Sequence, residues 1–299
     1  MKKVLLVLFC CSGVGLVVNA QEIVYSKFSD QYTELSGGTE LYSGEVWEDP
    51  SFFDGTTNPE ILMPLGFNFS YKGFNQDSIA IHEEGTLFLT DSIGPEFSEG
   101  GEGLTITQSP YLFLVPNFLD LTDREISGQG ELSTISYLTE GAAGSRIFKI
   151  EYKNVGLFDE HNATSSTNDY LSYQVWLYEG TNVIEYRYGT NNISNLDYVK
   201  YNFIGLYESG ALSDTLIYGM TVNGTDAAEN GILSSGTTIS ASDSSFVGLP
   251  KNGTVYRFGT PNIVGVNDLS LNQMNLKIFP VPALASNELT IQSTVLFEA

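Results

Sequence analysis

The chain has 299 residues, with 36 Asp and Glu against 13 Lys and Arg and a formal net charge of −23. So acidic a balance excludes a general nucleic-acid or anionic-membrane binder, because either needs a basic surface. The only cysteines are Cys10 and Cys11, which excludes disulfides, cysteine nucleophiles and thiolate metal sites from residue 21 onward.

Lys2 and Lys3 precede an almost unbroken apolar run over residues 4–18, and Val18-Asn19-Ala20 ends it. This is the layout of a secretory signal peptide over residues 1–20, with Gln21 first after cleavage. The run is short for a transmembrane span, which needs about 20 apolar residues. Phe9 before Cys10 and Cys10 before Cys11 lack the small residue that lipidation requires. Without Lys2 and Lys3, 11 basic residues face 36 acidic ones, a balance of −25. Solubility outside the cell is the plain reading of that charge; salt tolerance and calcium binding are the others.

Residues 21–64 are polar and glycine-rich around Val46-Trp47, and are expected to wrap the sheet edges. From Leu65 the pattern is that of strands. Phe67, Phe69 and Tyr71 alternate with small or polar neighbours. Residues 78–81 and 86–89 flank a Glu83-Glu84-Gly85 turn. Residues 111–115 form a continuous apolar run, which suits a strand covered on both faces. Residues 131–138 follow. In 145–153, Phe148, Ile150 and Tyr152 point one way and Lys149, Glu151 and Lys153 the other. Residues 154–169 read as a polar, turn-rich loop. Residues 170–178 and 183–188 form a hairpin across Glu179-Gly180-Thr181-Asn182. Residues 201–207, 215–221 and 254–258 complete the set.

Strands at short spacing without intervening helices predict an all-β fold, an antiparallel β-sandwich or jelly-roll-like single domain with a short C-terminal β tail. The expected division is a signal peptide at 1–20, the sandwich at 21–262, a linker at 263–275 and the tail at 276–299.

That tail runs Leu276-Lys277-Ile278-Phe279-Pro280-Val281-Pro282, then Ser286-Asn287-Glu288-Leu289-Thr290-Ile291. Two prolines break one strand before a second, alternating one begins. It resembles the start of the type A C-terminal sorting domain of Bacteroidetes type IX secretion substrates. Val281 departs from the family's usual Asn, Ala283-Leu284 are additional, and the later strands and glycines of such a domain do not follow before Ala299. The resemblance covers about the last thirty residues and implies the type IX machinery as a partner. A second resemblance rests on residues 65–89, on Val115-Pro116-Asn117-Phe118-Leu119-Asp120, on Ile150-Glu151-Tyr152-Lys153-Asn154-Val155 and on Tyr173-Gln174-Val175-Trp176-Leu177. These are similar to nidogen-like extracellular sandwich modules. That family implies extracellular interaction and brings no catalytic residues with it.

Candidate chemistry is sparse. Asp120, Asp123 and Glu125 follow a strand at a spacing that lets carboxylates share a calcium ion, although no glycine-centred loop accompanies them. An ordinary acidic loop is the competing reading. Asp159, Glu160, Asn162 and Asp169 make a second oxygen-rich stretch. His82 and His161 lie among carboxylates without the spacing of a zinc site. No nucleophile elbow, metalloprotease helix or phosphate-cradling glycine loop occurs. Trp47, in a polar neighbourhood, is the candidate ligand-stacking residue; Trp176 reads as core. Asp77-Ser78-Ile79, Asp91-Ser92-Ile93 and Asp214-Thr215-Leu216 resemble bacterial O-glycosylation sites. The expected function is secreted or cell-surface recognition or adhesion, with a glycan or protein ligand. The alternatives are a secreted polysaccharide hydrolase and a structural surface component. No nucleic-acid partner and no transmembrane span after cleavage are expected.

Overall fold

Alternation of apolar and polar side chains becomes sheet over most of the described residues. The computed structural model describes residues 24–41, 61–71, 74–81, 85–89, 112–126, 130–199, 202, 204–209, 216–223, 232–236, 248–259, 277–278 and 291–292. The expected signal peptide at 1–20, Trp47, His82 and the expected linker at 263–275 lie outside the described residues. In chain order the strands are β1 (Val24–Ser29), β2 (Thr39–Leu41), β3 (Ile61–Tyr71), β4 (Phe74–Ile81), β5 (Leu87–Leu89), β6 (Leu112–Val115), β7 (Leu121–Thr122), β8 (Glu125–Ile126), β9 (Gly130–Glu131), β10 (Thr134–Glu140) and β11 (Ile147–Leu157). A short helix α1 (Phe158–Thr164) follows. Then come β12 (Tyr170–Tyr178), β13 (Ile184–Asn192), a 3-10 turn (Leu196–Val199), β14 (Ile204–Ser209), β15 (Leu216–Asn223), β16 (Ile232–Gly236), β17 (Thr254–Gly259), β18 (Lys277–Ile278) and β19 (Ile291–Gln292).

Two antiparallel sheets hold the core between them. One runs β1-β17-β13-β12-β11-β10-β2, with β7 also paired to β11. The other runs β16-β15-β14-β6-β5-β4-β3. This is the all-β sandwich that the strand spacing predicts. Period 2 decides which side chains meet. In the first sheet Phe148, Leu177, Ile184 and Phe258 form one cross-strand row on the inner face, and Ile135, Tyr152, Tyr173 and Tyr188 another. They pack against Leu65, Phe67, Phe69, Ile79, Leu87 and Leu114 of the second sheet. The 112–115 run is buried on both faces as its continuous apolarity predicts.

Three buried tyrosines tie the sheets together. Tyr173 donates its hydroxyl to the Gly85 carbonyl at 3.3 Å, Tyr186 to Gly205 at 2.8 Å and Tyr188 to Pro116 at 2.6 Å. Each satisfies a carbonyl from the opposite layer, which a buried polar group requires. Burial pushes the Tyr173 and Tyr188 hydroxyls well above the ordinary phenol range, so both stay protonated donors.

The expected loop over 154–169 is corrected by the structure. β11 continues to Leu157 through a bulge at Asn154 (φ 52°), and α1 follows. The polar residues that suggest a loop include two acids that turn inward, Glu160 and Asp169: Glu160 is buried and accepts the Asp169 N–H at 2.8 Å and the Ser166 hydroxyl at 3.1 Å. Residues 21–64 do more than wrap edges. They supply β1, which pairs with β17, and β2, which pairs with β10, so they close both edges of the first sheet.

Candidate functional site

The outer face of the first sheet is polar, and its chemistry follows from register. One cross-strand row reads Ser26, Arg257, Glu185, Trp176, Lys149 and Leu138. The next reads Phe28, Val255, Arg187, Gln174, Glu151, Ser136 and Glu40. Four of these polar residues, Glu151, Gln174, Glu185 and Arg187, are almost fully buried. Charged groups on an outer sheet face usually stand in water; here the chain covers them with its own residues.

The cover is the segment from Asp30 to Gly38, which leaves β1 at one edge and enters β2 at the other. Those edges are six strand spacings apart, about 29 Å at ~4.8 Å each. Ten extended residue steps reach about 33 Å, so the segment crosses nearly straight. Its contacts follow the strand order. Asp30 pairs with Arg187 on β13. The Tyr32 ring lies over Gly189, where a Cβ would approach it to 2.7 Å. Gln174 Nε2 on β12 donates to the Thr33 carbonyl at 2.8 Å. Glu151 on β11 accepts the Tyr32 hydroxyl at 2.7 Å and the Leu35 N–H at 3.1 Å. Lys153 pairs with Glu34 at 2.7 Å, and Gly38 packs against Ser136 and Tyr137 on β10. We call residues 30–38 the clasp.

Beneath it the charges neutralise one another. Glu185 is fully buried and accepts from Arg187 Nη1 at 2.7 Å, Arg257 Nε at 2.7 Å and the Tyr178 hydroxyl at 2.9 Å. Burial opposes the charge on Arg187, but hydrogen bonds to Asp30 and Glu185 outweigh that and raise its pKa. The same bond from Arg187 lowers the pKa of Asp30. Burial, reinforced by the neighbouring Glu151 charge, pushes the Tyr32 hydroxyl upward and keeps it a donor.

Trp176 is not core. It stands half-buried on the outer face, with the Lys149 ammonium 3.8 Å and the Arg187 guanidinium 4.2 Å from its ring centre. Those cations come from β11 and β13, the strands on either side of it. Its indole N–H donates to Gln174 Oε1 at 2.8 Å. Both cations therefore engage the π-system on which a sugar would otherwise stack.

Of the three carboxylates in the predicted calcium loop, two have described side chains. Asp123 is buried and accepts the Ser133 hydroxyl. Asp120 is exposed, and its carbonyl accepts the Phe158 N–H at 3.0 Å. The side chain of Glu125 lies outside the described residues. In the second acidic stretch Asp169 accepts the N–H and hydroxyl of Ser194 at 2.9 and 3.0 Å, while Asp159 and Asn162 face solvent. Among the described residues no three or more His, Cys, Asp or Glu side chains are placed to share a metal. The residues that the sequence reading missed are Glu151, Gln174, Glu185 and Arg187. Their signal was Ile184-Glu185-Tyr186-Arg187-Tyr188, where opposite charges two apart sit on one face of an otherwise apolar strand.

One half-buried pair carries a pH dependence. Arg146 donates to Glu179 from Nε at 2.8 Å and Nη2 at 2.6 Å, and the Arg146 and Gly144 N–H groups add bonds at 3.0 and 2.8 Å. The Arg146 guanidinium above all holds the Glu179 carboxyl at about 2, against an ordinary 4.5. A folded pKa below the unfolded one stabilises the fold above the unfolded value and loses that contribution as pH falls through the folded one. Acid titration should therefore destabilise the wild type more than Glu179→Gln between pH 4.5 and 2, by hydrogen exchange at Gly144 and Arg146. Parallel curves for the two proteins would reject this.

An open recess of about 500 Å3, lined by Ser29, Asp30, Gln31, Tyr32, Asn252 and Gly253, lies where the clasp leaves β1. No helix among the described residues is long and apolar enough to cross a membrane.

Two antiparallel sheets around one core, with a polar outer face under a strap of the same chain, define the class as a two-layer β-sandwich. The family model described as NIDO related matches residues 24–261. The chain belongs to that family, and the matched region is an extracellular module. No curated protein and no solved structure matches it.

Proposed function

We propose that the protein is a recognition or adhesion module working in the extracellular space or on the outer cell surface, reached through the periplasm by the type IX route. The carrying observation is the NIDO-related match over residues 24–261 on a two-sheet sandwich. The layout of residues 1–20 supports export. The Leu276–Ile291 motif supports the type IX route, and β18 pairs antiparallel with β19 within it. On this reading 1–20 is removed, 21–262 is the working domain, 263–275 a linker and 276–299 the sorting segment. The ligand is a glycan or a protein. Trp47 contacts it, and Asp120, Asp123 and Glu125 hold calcium. The hydrolase is the alternative; the buried carboxylates Glu151 and Glu185 on the outer sheet face and Glu160 and Asp169 around α1 are all engaged by N–H, hydroxyl or cationic donors.

Two measurements test this. In a type IX-competent host the protein should reach the surface or medium, and should stay in the periplasm when the translocon is deleted; equal export in both hosts rejects the route. The mature chain, screened against immobilised glycans and extracellular proteins with and without calcium, should bind a defined ligand and lose it on Trp47→Ala. Polysaccharide cleavage without retained binding would overturn the recognition reading in favour of the hydrolase.

A further inference from the structure

The contacts under the clasp are those of a peptide-binding groove. Gln174 Nε2 reads a backbone carbonyl and Glu151 reads a backbone N–H two residues on, while Arg187 takes a carboxylate and Glu151 a tyrosine hydroxyl. Glu151, Gln174 and Arg187 are each more than nine-tenths buried. Together they recognise an extended segment that carries Asp-x-Tyr and continues for three residues read through its backbone, which this chain supplies at residues 30–35.

We infer that this groove also accepts the clasp of a second copy, so that two chains exchange residues 24–41. Three features favour that occupant. First, every contact is made by residues of this short segment, so seating it on another copy reproduces them all. Second, β1 and β2 travel with the clasp, and the exchanged segment closes both edges of the receiving sheet. Unpaired edges are the places where β-proteins associate. Third, residues 42–60 join β2 to β3, and a chain of that length reaches up to about 60 Å, twice the width of the sheet crossed. Reciprocal exchange is a closed, two-fold arrangement that uses one interface twice.

Cysteine pairing tests the exchange, because Cys10 and Cys11 precede the mature chain and it has no other cysteine. Glu40 and Ser136 are cross-strand partners between β2 and β10. The mature chain carrying Glu40→Cys is mixed with one carrying Ser136→Cys, unfolded, refolded together at high concentration and oxidised. Exchange gives a disulfide-linked heterodimer at twice the chain mass on a non-reducing gel. Replacing Ser136→Cys by Thr181→Cys, in an exposed turn, should lower its yield at least tenfold. A double Glu40→Cys, Ser136→Cys chain refolded dilute should close on itself as a monomer. If that chain closes while the mixture yields no heterodimer, or no more than the Thr181→Cys control, the exchange is overturned. Ser29→Cys and Thr254→Cys, partners between β1 and β17, repeat the test at the other edge should the first pair fail to close.

Discussion

Replacing Glu185 by alanine is expected to lower the unfolding free energy by about 3–5 kcal/mol, the usual cost of removing one partner from a buried ion pair. The carboxylate has no exposure, and it bridges Arg187 to Arg257. Without it the two guanidinium groups lose the carboxylate that bridges them. Asp30 still holds Arg187, but it is half exposed and offsets little. The cost is mainly that of stranded cations, so removing one of them as well should recover part of it: Glu185→Leu with Arg187→Met replaces the buried pair by apolar side chains and should be more stable than Glu185→Ala, while Arg257 and Asp30 still lack their partners. Urea unfolding monitored by tryptophan fluorescence reads both, since Trp176 sits on Arg187. A loss below about 1 kcal/mol for Glu185→Ala would mean that water reaches the carboxylate and the pair is an ordinary surface one.

The layering was legible in the sequence because burial in a sandwich is a period-2 property. Phe67, Phe69 and Tyr71, or Phe148, Ile150 and Tyr152, announce their face without help from distant residues. The outer face was not legible for the converse reason. Lys149, Glu151 and Lys153 do share it, as alternation requires. Whether they stand in water depends on residues 30–38, more than a hundred positions away. Glu151 is buried because Tyr32 and Leu35 cross over it, and no local pattern contains that. Trp176 was misread in the same way: an aromatic beside Leu177 and Val175 reads as core, yet its parity puts it outside, where two cations cover it. The helix at 158–164 was hidden by its polarity, since Glu160 and Asp169 look solvent-facing until their inward hydrogen bonds are seen.

Gly85→Ala should be nearly as damaging, at about 3–5 kcal/mol, from the sum of a left-handed backbone, overpacking and a strained hydrogen bond. Gly85 precedes β5 with φ +85°, a conformation that disfavours any side chain. A Cβ there would collide with the Tyr173 hydroxyl and come within 2.7 Å of Leu121 Cδ1. That hydroxyl is the group that donates to the Gly85 carbonyl, so the new methyl also pushes away the bond tying β12 to the second sheet. Tyr173→Phe separates these contributions. Alone it removes one buried hydrogen bond and should cost about 1 kcal/mol. In the Gly85→Ala background it removes the atom that the methyl strikes, so the double variant should be more stable than Gly85→Ala alone. The two changes are then non-additive by more than about 1 kcal/mol, as contacting residues are. Additive losses would place the cost in the backbone conformation rather than in the meeting of the methyl with Tyr173. Gly85 would then be required for its φ alone, and Gly85→Asn, which tolerates that conformation better, would be the milder change despite its larger side chain.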